Sequence, residues 1–177
     1  CDLLPHCTFF GYRYVSITAT GNVSIKSLKS IPVTSITKEL ETGTITTGND
    51  LVNKLISNTY WGQLSNYLSI PTDCPQRDER LGWTADTQVF AETGTFFANT
   101  MKFFHKWMRD MRDTQNSLGG FPGVLPWHNT VMRKCVWLAD AGIIVLGRYG
   151  SNSVIRKLLR RAGTHGPVYE PHQRHQV

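Results

Sequence analysis

The first 44 residues alternate bulky apolar side chains with small or polar ones, which is typical of extended chain. Residues 8–20 are rich in aromatic and β-branched types and are followed by the turn residues Gly21 and Asn22. A second run, residues 31–36, contains Pro32, which fits an edge position or the start of a strand. This segment is therefore predicted to form the last strands of a β domain.

The spacing of hydrophobic residues becomes helical after Gly48-Asn49-Asp50, where an Asx residue can cap a helix. Apolar residues then follow at intervals of three and four positions: Leu51, Leu55, Ile56, Tyr60 and Leu64. This helix is predicted to end near Pro71. A second helical pattern runs from about Thr84 to Met111, with Gly94 as a candidate bend. The two helices and the loop between them are predicted to form a helical hairpin.

Composition predicts a globular, soluble chain. Of the 177 residues, 40% are hydrophobic and 18% are charged, and no apolar run approaches the ~18 residues needed to span a bilayer. The chain begins at Cys1, without an initiator Met and without the residue order of a signal peptide. We therefore expect an upstream part to be missing, and the compartment of the whole protein is left open.

The net charge of +6 belongs to the end of the chain. Residues 146–177 carry six basic residues and one acidic residue, which accounts for five of the six net positive charges. Aromatic residues are poorly interleaved with these charges, so no nucleic-acid partner is predicted, and no membrane partner either.

The cysteines do not predict a metal site. Cys1, Cys7, Cys74 and Cys135 form no CxxC pair, and no histidine follows at a zinc-type spacing. Neither a cofactor nor a metal is predicted.

Charged and aromatic residues are concentrated in the loop between the predicted helices: Asp73, Arg77, Asp78, Glu79, Arg80 and Trp83. A sugar site needs carboxylates and guanidinium groups for hydroxyls, an aromatic face for the ring, and a carboxylic acid to protonate a leaving oxygen. The alternative is a loop of ion pairs in which Trp83 only packs, and residue types alone favour that alternative. Composition leaves both interpretations open.

The loop sequence is also similar to a family motif. It runs Ser69-Ile-Pro-Thr-Asp-Cys-Pro-Gln-Arg-Asp-Glu-Arg-Leu-Gly-Trp-Thr-Ala-Asp-Thr-Gln88 and closely resembles the signature loop of the bacterial α-L-rhamnosidases of glycoside hydrolase family 78. Further similarity lies in Phe10-Gly-Tyr-Arg-Tyr14 and at Phe104, Trp107, Asp110 and Gln115. The resemblance covers about residues 8–124.

This resemblance implies a mixed fold, in which β-sandwich domains precede a six-hairpin (α/α) toroid. Residues 1–44 would be the C-terminal strands of a β-sandwich, residues 45–145 the first hairpins of the toroid, and residues 146–177 a divergent basic tail. Aromatic residues that face the toroid core are expected to lack their partner hairpins and to be exposed: Phe96, Phe97, Phe104 and Trp107. The oligomeric state is left open.

The resemblance also implies an activity, the hydrolysis of terminal, non-reducing α-L-rhamnose with inversion. Rhamnose-containing glycosides or polysaccharides would be the substrates. By the same similarity Glu79 is the general acid, Asp73 and Arg77 bind rhamnose hydroxyls, and Trp83 packs against the sugar ring. Asp78 and Asp86 would support these residues.

Glu79 has to be protonated to act as an acid. Burial beneath Trp83 and closeness to Asp73 or Asp78 would raise its pKa, whereas contact with Arg77 or Arg80 would lower it. The sequence leaves the balance open.

The catalytic base of the family is a glutamate on a later hairpin that this chain does not reach. The only later glutamates are Glu92, on the helix next to the site loop, and Glu170, in a segment unlike the family. The chain alone is therefore predicted to be inactive. The alternative function is that of a carbohydrate-binding remnant without catalysis.

The resemblance is interrupted after Val124, returns around residues 137–145, and is lost from Leu146. Reading plausible codons of residues 146–177 one nucleotide out of frame can produce family-like residues. We therefore hypothesise frameshifts as the origin of the arginine-rich tail, with a divergent natural tail as the alternative.

Overall fold

The computed structural model describes residues 3–115, 121–126, 141–142 and 144–145. These ranges contain a short 3-10 helix, Lys38–Leu40, and three α-helices: α1 Asp50–Asn66, α2 Thr84–Phe97 and α3 Met101–Asp113. They also contain four two-residue strands: β1 Tyr67–Leu68, β2 Ile70–Pro71, β3 Gly82–Trp83 and β4 Val124–Leu125. β1 pairs antiparallel with β2, and β3 with β4. The described part is mostly helical, as the helical patterns predict.

The start of α1 is confirmed. The Asn49 side-chain oxygen accepts hydrogen bonds from the backbone N–H groups of Leu51 (2.9 Å) and Val52 (3.3 Å), which satisfies donors that a helix start leaves free. The helix ends at Asn66 rather than near Pro71. The next residues form the β1–β2 hairpin, and Ser69 at its turn has a positive φ of 65°.

The prediction of one helix from Thr84 to Met111 is wrong, because α2 ends at Phe97 and α3 begins at Met101. The chain is extended at Ala98, which forms a bridge with Glu41. The Asn99 N–H donates to the Leu40 carbonyl at 2.7 Å. The segment after the 3-10 helix therefore pairs with the chain between α2 and α3, and the break lies there and not at Gly94.

The predicted helical hairpin is confirmed. The rings of Tyr60 in α1 and Phe97 in α2 lie 5.8 Å apart. Three residues later in α1, the Gln63 side chain donates to the carbonyl of Gly94 at 2.9 Å. Residue numbers rise along α1 as they fall along α2, so the two helices are antiparallel.

The core forms where α3 packs on this hairpin. Trp107 and Met111 of α3 are fully buried, as is Leu125 of β4, and Phe103 stacks on Tyr67 with ring centroids 4.5 Å apart. The expectation of exposed core aromatics is wrong for three of the four residues, because Phe97, Phe104 and Trp107 are buried. Only Phe96 of that set is exposed. Phe104 and Trp107 belong to the buried core cluster, and Phe97 packs against the ring of Tyr60.

The predicted strands at residues 8–20 and 31–36 are not formed, since no helix or strand lies between residues 3 and 37. A strand requires a neighbour for its backbone hydrogen bonds. In the described ranges this segment has no ladder partner, and most of its apolar side chains are exposed. The assignment of residues 1–44 to a β-sandwich stays a prediction.

Residues 146–177, including Glu170 and the proposed frameshift, lie outside the described residues. Within the described ranges, none of the helices combines the length and apolar character that crossing a bilayer requires.

Candidate active site

The site loop, residues 72–83, connects the β1–β2 hairpin to α2. At its start the Thr72 N–H donates to the Asn66 carbonyl at 2.9 Å, and the Asp73 N–H donates to Leu81 at 3.1 Å. At its end the Thr84 N–H donates to the Gly123 carbonyl at 3.0 Å, beside the β3–β4 pair. The loop is therefore closed on itself and anchored to α1 and to β4.

The N-terminal segment supports the loop from outside, although it forms no strand. A Cβ added to Gly11 would lie 2.6 Å from Gln76 Cα and 2.7 Å from the Pro75 oxygen, so the two backbones are in direct contact. The Arg80 guanidinium lies over the Phe9 ring, 4.3 Å from its centroid, at cation–π distance. Residues 9–11 thus hold one side of the loop.

The loop brings together the four residues predicted to act directly on the sugar. Glu79 Oε1 accepts a hydrogen bond from Trp83 Nε1 at 2.5 Å, and its Oε2 accepts one from Arg77 Nη2 at 3.3 Å. Arg77 Nη2 also lies 4.0 Å from Asp73 Oδ2. The Asp73 and Glu79 side chains are 15% and 23% exposed, whereas Arg77 is 63% exposed. The two carboxyls are largely covered, and the guanidinium faces solvent.

Asp78 and Asp86 are not part of this cluster. The Asp78 side chain is fully exposed, and its nearest cation is Arg80 at 4.0 Å. Asp86 lies in the first turn of α2 and lines the cavity beside Asp73 and Trp83. Their supporting roles stay predictions.

The two carboxyls of the cluster have pKa values shifted in opposite directions. Burial raises the pKa of Asp73, and the hydrogen bond and charge of Glu79 raise it further. A hydrogen bond from the Cys74 thiol lowers it, but by less. Burial also favours the neutral form of Glu79, but hydrogen bonds to Trp83, Asp73 and Arg77 outweigh it and lower its pKa.

Cys74 and Gln63 are at the site but were not among the predicted site residues. Asp73, Cys74 and Glu79 each place one potential metal ligand atom within 4.8 Å of the others. Cys74 directly follows Asp73 in the motif, so its position was visible in the sequence. Gln63 lies among apolar helix positions, and only packing shows that it faces the site.

Two cavities flank the site loop. One has a volume of about 830 Å³ and is lined by Asp73, Trp83 and Asp86 together with parts of α1 and α2. The other, of about 610 Å³, is lined by Phe9, Arg80 and residues of α3. Both volumes lie in the range of small-molecule sites, roughly 300–1,000 Å³.

Most of this chain matches a known protein family. Residues 40–161 match the family described as the bacterial alpha-L-rhamnosidase 6 hairpin glycosidase domain. The chain belongs to this family. The match extends past Leu146, where the similarity to the family was predicted to be lost.

Curated α-L-rhamnosidases are similar over most of this chain. The alpha-L-rhamnosidase of Formosa agariphila is 41% identical over 126 residues, which cover 71% of this chain and 14% of the relative. That of Streptomyces avermitilis is 40% identical over 163 residues, covering 88% and 15%. The chain therefore spans about a seventh of the length of these rhamnosidases.

Solved rhamnosidase structures share the fold of the described part. The alpha-L-rhamnosidase from Dictyoglumus thermophilum superposes with a TM-score of 0.64 at 36% identity, over 68% of this chain and 14% of that one. The Streptomyces avermitilis enzyme, complexed with L-rhamnose, superposes with a TM-score of 0.58 at 42% identity, over 66% and 11%. The family is one of glycoside hydrolases, and its named members here are α-L-rhamnosidases.

Proposed function

We propose that this chain supplies the acid side of an inverting α-L-rhamnosidase site. Glu79 is the general acid, Asp73 and Arg77 bind rhamnose hydroxyls, and Trp83 covers one face of the sugar ring. The observation that supports this proposal is the convergence of these four side chains on one closed loop, in a chain that belongs to a rhamnosidase family. The L-rhamnose complex of the Streptomyces relative supports rhamnose as the sugar.

Inversion needs a second carboxylate that activates water on the opposite face of the ring, roughly 6.5–9.5 Å from the acid. Glu92 does not suit this role. It is exposed on α2 and lies nine positions after Trp83, about 13 Å along the helix axis. By the family resemblance the base is a glutamate on a later hairpin, so the chain alone is expected not to turn over rhamnosides.

In the ligand-free site the pKa of Glu79 is lowered, so sugar binding has to favour its protonated form. Arg77 is the exposed partner of Glu79, so rhamnose hydroxyls that bind Arg77 would weaken its contact with Glu79. Without that contact the pKa of Glu79 rises, since Arg77 is one of the groups that lower it. Protonated Glu79 then donates its proton to the glycosidic oxygen as the bond to the leaving group breaks.

A chimera tests the role of Glu79. Residues 40–115 of this chain would replace the matching segment of the Streptomyces avermitilis enzyme, and turnover of 4-nitrophenyl α-L-rhamnoside would be measured. Glu79→Gln is expected to lower kcat by about 10²–10⁴-fold, the usual contribution of a general acid. The matched control Glu92→Gln removes an exposed carboxylate and is expected to leave kcat unchanged. Full turnover in the Glu79→Gln chimera would exclude the proposed role.

The unmodified chain tests the other half of the proposal. It is expected to show no turnover of 4-nitrophenyl α-L-rhamnoside, and robust turnover would contradict the missing base. Calorimetric titration with L-rhamnose then separates a chain that binds the sugar without catalysis from one that is inert.

A further inference from the structure

The N-terminal segment, residues 3–33, is exposed except where it contacts the site loop. Phe9 and Gly11 are partly buried, whereas every other residue of the segment is exposed. The Phe9 ring lies against the Arg80 guanidinium, and the Gly11 backbone lies against that of Gln76. Burial in this segment therefore coincides with its contact to the loop that carries Glu79.

The contact at Gly11 leaves no room for a side chain. A Cβ there would lie 2.6 Å from Gln76 Cα and 2.7 Å from the Pro75 oxygen. Both atoms belong to the main chain, which cannot rotate away from a methyl group, so an alanine must push the segment and the loop apart. Gln76 directly precedes Arg77, the exposed partner of Glu79. A shift of the Gln76 backbone therefore also displaces Arg77.

Arg80 is held mainly by the ring of Phe9. Its guanidinium lies 4.3 Å from the ring centroid, whereas the carboxylate that it approaches, Asp78, is fully exposed and 4.0 Å away. The Arg80 Nε is buried and donates no hydrogen bond to any described residue. Arg80 also has a positive φ of 53°, which a residue with a side chain adopts only where surrounding contacts hold it. The Phe9 ring is such a contact.

The backbone on either side of Arg80 is tied to the two carboxyls of the cluster. Glu79 directly precedes it, and the carbonyl of Leu81, which follows it, accepts a hydrogen bond from the Asp73 N–H at 3.1 Å. Neither Arg80 nor Phe9 lines the 830 Å³ cavity beside Asp73. The two residues therefore affect the carboxyls through the loop backbone and not through contact with a sugar.

We propose that the N-terminal segment positions the general acid. The Phe9 ring and the Gly11 backbone hold the site loop so that Glu79 keeps its contact with Trp83. This inference rests on the proposed role of Glu79 as the acid. The productive geometry of such a site has to be held within about 0.5 Å, and a loop achieves this only when other residues pack against it. Phe9 and Gly11 are positioning residues, because they contact the loop and not the sugar.

The indole N–H of Trp83 reports the geometry of Glu79 in the full chain. It donates to Glu79 Oε1 at 2.5 Å, so its NMR signal follows the ionisation of that carboxyl. Trp83→Phe assigns the signal among the five tryptophans, and Glu79→Gln should abolish its titration. The pH midpoint of the signal gives the pKa of Glu79. Burial raises this pKa, and hydrogen bonds to Trp83, Asp73 and Arg77 lower it by more.

Substitutions at Phe9 test the ring. Phe9→Leu should raise the midpoint of the Trp83 signal toward that of an ordinary glutamate, because the loop no longer holds Glu79 against its hydrogen-bond donors. Phe9→Tyr keeps the ring and should keep the midpoint of the unmodified chain. The matched control Phe10→Leu changes the neighbouring ring, which is 64% exposed, and should leave the signal unchanged.

Substitutions at glycine test the backbone contact. Gly11→Ala should shift the Trp83 signal as Phe9→Leu does, whereas Gly48→Ala, whose added Cβ meets nothing within 4 Å, should not. Calorimetric titration of the full chain with L-rhamnose gives a second measurement. Phe9→Leu and Gly11→Ala should each weaken L-rhamnose binding by about tenfold, and far-ultraviolet circular dichroism checks that the helices are retained.

The outcomes separate this inference from the proposed function. An unchanged Trp83 midpoint in folded Phe9→Leu would overturn the inference even if the variant were less stable, because the contact would then only stabilise the fold. A shift in Phe9→Tyr as large as that in Phe9→Leu would exclude the ring as the positioning group. If Gly11→Ala does not fold, the Phe9 variants decide alone. Lack of L-rhamnose binding by the folded, unmodified chain would reject the proposed rhamnose site, and the Trp83 signal would still decide whether the segment positions Glu79.

Discussion

A methyl group has no room at Gly82, where β3 passes β4 at the end of the site loop. A Cβ on Gly82 would lie 2.2 Å from the backbone oxygen of Leu125 and 3.3 Å from Ile70 Cδ1. The first contact is with main chain, which cannot rotate away, so β3 and β4 must separate. Overpacking of this kind costs about 1–3 kcal/mol. We expect Gly82→Ala to reach about 3 kcal/mol, because the separation also disturbs the pairing of β3 with β4.

The same substitution at Gly62 is expected to have the opposite sign. Gly62 lies within α1, and its added Cβ meets nothing within 4 Å. Alanine in a helix interior is more stable than glycine by about 0.5–1 kcal/mol, because glycine loses more backbone freedom on folding. Gly62→Ala is therefore a control that adds one methyl group without a clash.

Urea unfolding followed by far-ultraviolet circular dichroism measures both effects, and the slope m should be unchanged in both variants. A Gly82→Ala chain as stable as the unmodified one would refute the close approach of β3 and β4. Destabilisation by Gly62→Ala would refute the open space beside Gly62.

Three further predictions concern the cap, the core and the carboxyl pair. Asn49→Ala removes the α1 cap and should lower the free energy of unfolding by about 1 kcal/mol in the same urea assay; no change would show that the cap is dispensable. Trp107→Ala empties a fully buried site and should cost about 3–5 kcal/mol, so a loss below about 1 kcal/mol would contradict its burial. Asp73→Asn removes a carboxyl whose pKa is raised in the folded chain. Such a carboxyl stabilises the fold at acidic pH, and this contribution is lost as the pH rises through the pKa of the folded state. The Tm of this variant relative to the unmodified chain should therefore be higher at about pH 7 than at about pH 3, and a constant difference would contradict the shift.

The family motif made the candidate site predictable at the level of residues. Asp73, Arg77, Glu79 and Trp83 lie within eleven consecutive positions, and the structure brings them together on one loop. The direction of the Glu79 pKa shift was not predictable, because it depends on the hydrogen bond from Trp83 and on which charged neighbour makes contact. Arg77 does so, whereas the carboxylate of Asp78 is fully exposed.

The structure of the N-terminal segment could not be predicted from its hydrophobic pattern. Its alternation indicates extended chain, but a strand exists only when a second strand accepts its hydrogen bonds, and the described ranges contain no such strand for residues 8–20. Packing instead places Gly11 and Phe9 against the site loop. No local pattern around residue 11 could have indicated contact with Pro75 and Gln76.

The sequence by itself determined the features that depend on neighbouring residues. These are the start of α1 at its Asn49 cap, the hairpin of α1 and α2, and the residues of the site loop. Tertiary structure alone decided where the second helical pattern breaks, because Leu40 and Glu41 are remote in sequence from the Ala98–Asn99 backbone that they bind. It also decided which apolar residues of α1 are core. Leu64 is buried and Leu51 and Leu55 are exposed, because periodicity defines helix faces but not the neighbours that cover them.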